Sequence, residues 1–98
     1  MEVYAIQAGF IVVNFSMLRK LCFEVFDIYK SEDTAINVAN IIVNRIMHEY
    51  PNAKYHSEVE PEYYFEPFKK YRSIAITIQY DKFNKIEWSM ELAKRKLI

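Results

Sequence analysis

The chain has 98 residues, 52% of them hydrophobic and 16% aromatic, and its 13 basic and 13 acidic residues cancel. So apolar a composition argues against intrinsic disorder, and the charge balance argues against both a protein that grips nucleic acid by bulk charge and a wholesale acidic mimic of DNA. The length fits a single domain spanning residues 1–98, which on folding buries about two-thirds of the surface its unfolded chain exposes.

Residues 2–15 are mostly β-branched and aromatic, without a helical period, and predict a strand with Gly9 as the natural place for a bulge. Residues 16–20 supply a polar interruption suited to a turn. Residues 21–29, LCFEVFDIY, fit two templates. Leu18, Leu21, Cys22, Val25, Ile28 and Tyr29 match helical spacing, but a helix puts Phe23 and Phe26 on its polar side and Arg19 and Lys20 against its positive start. Strand alternation places Leu21, Phe23, Val25 and Tyr29 together, with Asp27 alone out of place, and the strand is the assignment adopted.

Residues 31–50, SEDTAINVANIIVNRIMHEY, predict an amphipathic helix. Ser31 or Asp33 caps its start, Glu32 and Asp33 face the positive end of the dipole, and Pro51-Asn52 stops it. Ala35, Val38, Ala39, Ile42, Ile46 and Tyr50 form the predicted core stripe, flanked by Ile36, Val43 and Met47. Asn37, Asn40, Asn44 and His48 make the outward row, with Ile41 among them and Arg45 at the edge.

Residues 54–60 predict a short strand. Pro61 and Pro67 limit the piece between them to an edge strand or an ordered loop, because proline lacks the ladder donor. Ile74, Ile76, Ile78 and Tyr80, then Ile86, Trp88, Met90 and Leu92, alternate with polar or small residues around a polar connection at 81–85. That pattern is a hairpin with one buried face, followed by a short basic tail from Lys94 to Ile98. The order β-β-α-(β)-β-β predicts an α+β two-layer sandwich: a mainly antiparallel sheet with one long helix on one face.

Catalytic motifs are missing from this pattern. With one glycine there is no glycine-rich phosphate loop, and Cys22, between Leu21 and Phe23, has the setting of a structural cysteine. His56, Glu58 and Glu60 share a strand face but need a further convergent ligand to hold a metal, so neither a metal nor a cofactor is expected. A lone cysteine forms no internal disulfide, and the apolar run at 10–13 is too short to span a bilayer. The expected location is therefore the cytoplasm, without signal peptide or membrane span.

The expected activity is non-enzymatic binding of another protein, whose identity is open. Glu58, Glu60, Glu62 and Glu66 lie in a stretch without a basic residue and are interleaved with Tyr63, Tyr64, Phe65 and Phe68. Rings beside carboxylates suit a basic partner. The competing interpretation tucks Phe65 and Phe68 into the core and leaves the glutamates solvated. Asn37, Asn40, Ile41 and Asn44 form a second candidate surface, since asparagine costs a helix about 0.5 kcal/mol each relative to alanine. The alternative function is nucleic-acid binding through Lys69, Lys70 and Arg72 with Lys94, Arg95 and Lys96. Apolar residues on both faces of 21–29 predict a homodimer through that segment. The abundance of Ile, Asn, Lys and Tyr reflects AT-rich coding DNA, which suits a phage or virus whose small proteins inhibit a host enzyme or defence complex in the host cytoplasm.

Overall fold

The computed structural model describes residues 1–13, 19–56, 59–79 and 84–96, with the backbone alone at 10–13 and 19–26. Five antiparallel strands form one sheet: β1 Glu2–Val13, β2 Arg19–Tyr29, β3 Lys54–Tyr55, β4 Ser73–Gln79 and β5 Lys85–Lys96, in the order β2-β1-β5-β4-β3. Helix α1 Glu32–Glu49 packs on one face, the one α-helix among the described residues. The two-layer α+β architecture expected from the alternation patterns is the one observed, and residues 19–29 are a strand.

The centre of the sheet joins the two ends of the chain. β1 and β5 pair along their whole lengths, from Glu2↔Lys96 to Val13↔Lys85. Lys94, Arg95 and Lys96, expected to open a basic tail, therefore continue β5, because β1 pairs with them as far as Glu2, and the last two residues of that tail lie outside the described residues. Gly9 carries no bulge, since it lies in an unbroken register on both sides, opposite Phe23 and Ser89. The irregularity falls instead between Ile6 and Gln7, whose partners in β2 are Asp27 and Val25, so Phe26 is the extra residue.

Helix α1 begins as its sequence dictates. Ser31 Oγ accepts a hydrogen bond from the Thr34 amide (3.4 Å), and Glu32 and Asp33 occupy the first turn. The Tyr50 amide still donates to the Ile46 carbonyl (3.0 Å), after which Pro51 ends the helix. Ala35, Ala39 and Val43 are its buried centre, against Ile6, Ala8, Ile74, Ile76, Ile78, Trp88, Met90 and Leu92 from the sheet. The buried arc is thus turned from the predicted stripe. Asn40 lies inside it and Tyr50 lies exposed.

The turn of that arc has a physical source in the segment after the helix. The strand expected over residues 54–60 is shorter among the described residues. β3 ends after two residues, and one more ladder bond follows, from the His56 amide to the Ala75 carbonyl (2.7 Å). Pro61 and Pro67 each open a short 3-10 turn, Pro61–Tyr63 and Pro67–Lys69, where a fixed φ and a missing N–H cost nothing. The second turn packs on α1 and sinks Phe68 and Pro67 completely.

Candidate protein-binding surface

The segment from Val59 to Arg72 is held to the rest of the domain by a few specific bonds. Phe68 is fully buried, which contributes about 2 kcal/mol of hydrophobic stabilisation, and its amide donates to Asn40 Oδ1 (2.9 Å). Asn44 Nδ2 donates to the Phe65 carbonyl (2.7 Å) and to the Asn40 carbonyl (2.9 Å). Tyr55 donates its hydroxyl to the Tyr64 carbonyl (2.7 Å), and the Glu60 amide donates to the Tyr71 hydroxyl (3.2 Å). The loop's own backbone bonds close its short turns, from the Tyr63 amide on the Glu60 carbonyl to the Tyr71 amide on the Pro67 carbonyl, and these side chains take up further groups, of which the Phe68 amide is the buried one. Among the described residues, no buried side-chain nitrogen or oxygen lacks a partner.

This clamp reassigns half of the asparagine row. Asn40, expected to face outward, is buried, and Asn44 is half-buried against the loop. Their helix-weakening chemistry is used to dock the loop inside the molecule. Asn37 and Ile41 remain exposed, Ile41 at 58%.

The acidic aromatic stretch also has a different surrounding from the one its sequence suggests. The basic residues that follow it fold back over it. Lys70 Nζ lies 2.7 Å from Glu60 Oε1 and stands 5.3 Å and 5.6 Å from the ring centres of Tyr63 and Tyr71, which meet edge to face at 6.0 Å. The chain's own lysine thus takes the place that a basic partner would fill at these rings. The hydrogen bond from Lys70 holds the Glu60 carboxyl below its ordinary range and, reciprocally, raises the ammonium of Lys70. Glu66 pairs more loosely with Lys69 (3.7 Å), and Glu62 is exposed. Glu58 lies outside the described residues.

The two phenylalanines part company. Phe68 belongs to the core, whereas Phe65 is 78% exposed. Beside it, Tyr64 is 45% exposed and stacks on Tyr55 with ring centres 5.4 Å apart. Burial, with a smaller contribution from Tyr64, pushes the Tyr55 hydroxyl up to about 12. Phe65, Tyr64, Tyr55, Met47, Val59 and His56 line a groove of about 690 Å³ beside β3, with Asn44 at its floor. Met47 flanks the core as its place beside the apolar stripe implied and also reaches the groove, while Phe65, for which the sequence left surface and core both open, is on the surface. The signal available in the sequence was the Pro67 turn, which lets only one of Phe65 and Phe68 face inward.

The basic clusters expected for nucleic acid are brought partly together. Arg72, Lys94 and Arg95 line one polar hollow of about 530 Å³, but Glu32 and Glu91 line it too. Arg72 pairs with Glu32, Lys94 with Glu2 (3.1 Å), and Arg95 Nη2 donates to Gln7 Oε1 (3.3 Å). Lys96 is exposed at the end of β5. His56 is exposed on the groove wall, and among the described residues no three His, Cys, Asp or Glu side chains converge as a metal site. Nor is any described helix long and apolar enough to cross a membrane.

No family model, no curated protein and no solved structure matches this chain.

Proposed function

We propose that this protein is a non-enzymatic binding module and that the groove around Phe65 and Tyr64 receives an apolar side chain of a protein partner. The observation that carries this reading is Phe65 itself, 78% exposed on a backbone whose carbonyl is fixed by Asn44. An exposed ring on a pinned backbone loses little freedom on binding, and rings in such settings anchor protein interfaces. The exposed Glu62 of the same segment steers encounter, while the apolar groove supplies affinity. Capping a host enzyme or defence complex, the inhibitory role suited to a small viral or phage protein, requires no more than such a groove. The nucleic-acid alternative draws less support, because carboxylates accompany Arg72 and Lys94 wherever a phosphate would approach them.

Affinity capture from the native host with the wild-type chain and with Phe65→Ser tests the reading. The substitution is expected to remove one or more captured proteins while leaving the melting temperature unchanged. An identical captured set from both chains removes the groove from consideration.

A further inference from the structure

The opposite end of the sheet carries a different kind of surface. β2 is the edge strand, 11 residues long, and no described strand lies beyond it. It contains neither proline nor glycine, so every residue has an N–H and none interrupts the edge. Natural edge strands are commonly shortened, bulged or covered, because an unpaired row of N–H and C=O groups invites another strand. Here the one bulge, at Phe26, leaves residues 19–25 as an unbroken run in register with β1, from Val13↔Arg19 to Gln7↔Val25.

The residues of that run are self-complementary. Antiparallel pairing of 19–25 with the same run of a second copy, about the run's own centre, sets Cys22 opposite Cys22, Leu21 opposite Phe23, Lys20 opposite Glu24 and Arg19 opposite Val25. By two-fold symmetry each unlike pair occurs twice, so the basic position meets the acidic one at both ends and no like charges face each other. We propose that two copies of this chain associate edge to edge through residues 19–25 of β2, joining their five-stranded sheets into one continuous sheet. The occupant of the edge is a second copy because the charge order along the run matches its own reverse. The proposal is independent of the groove, which lies at the other end of the sheet.

Charge reversal tests it in the full-length protein. Sedimentation from micromolar to millimolar concentration should show a dimer of the 11.8 kDa chain, with the alternate amides of 19–25 that point away from β1 gaining exchange protection as concentration rises. Lys20→Glu sets like charges opposite each other twice and should weaken the dimer about tenfold, as should Glu24→Lys alone. The double variant Lys20→Glu with Glu24→Lys restores both pairs and should restore the dimer. The double variant also serves if one single variant fails to fold. A monomer throughout the concentration range overturns the proposal, and so does a dimer that ignores the single reversals or that the double reversal does not recover. Either failure leaves the Phe65 groove untouched, because that surface is read by capture and this one by self-association.

Discussion

The two ends of the sheet solve the edge problem in opposite ways. At the β3 end the strand is two residues long, and the chain then leaves the ladder, turns at two prolines and is clamped onto α1 by Asn40 and Asn44. At the β2 end, eleven residues run along the margin with no described strand beyond them. The difference shows what shortening an edge requires. A chain that leaves the ladder loses its strand partners, and its own turns together with Asn40 and Asn44 supply new ones. The same loop exposes one ring of its two phenylalanines, so an apolar groove flanks the shortened edge.

The largest effect on this contrast is expected from Phe68→Ala. Removing a fully buried ring should cost about 3–5 kcal/mol, measured by denaturant unfolding. Hydrogen exchange should rise at β3 and the loop before it rises at β1 and β5; uniform acceleration across the sheet would mean that the two ends are not separate units. Asn40→Ala comes next. It leaves the Phe68 amide without its acceptor in a buried place, for a loss of about 1–3 kcal/mol, again concentrated at the β3 end.

Smaller effects come from titration. Because the folded-state pKa of Tyr55 is raised to about 12 from the ordinary 10.0, the stability it contributes is complete below pH 10 and is lost as pH rises through the folded value. An ultraviolet titration should show a step near pH 12 that Tyr55→Phe abolishes. The smallest effect is expected from Lys70→Met. The Glu60–Lys70 pair is exposed, so stability at neutral pH should barely move. The lowered Glu60 carboxyl makes its contribution present above the ordinary carboxylate value and lost as pH falls through the folded one, whereas the raised Lys70 loses its contribution at alkaline pH. Acid and base unfolding curves of Lys70→Met should each be slightly flatter than those of the wild type.

Local chemistry was readable because it acts over a few residues. Ser31, Glu32 and Asp33 start a helix wherever an amphipathic run follows them, and Ile74, Ile76 and Ile78 alternate because a pleat has period two. These patterns were enough to favour one helix on an antiparallel sheet, with the ambiguous residues 21–29 as a strand, although Arg19 and Lys20, expected in the turn before it, belong to that strand too. Tertiary structure decided what depends on distant segments meeting. Asn40 looked like an outward residue until the amide of Phe68, 28 positions away, needed an acceptor. Glu60 looked free for a partner until Lys70 folded over Tyr63 and Tyr71 to reach it. Lys94, Arg95 and Lys96 became part of a strand because β1 lay alongside them. Periodicity reports which side of an element is apolar, but a buried polar group or a paired charge is settled only by what the rest of the chain brings to it.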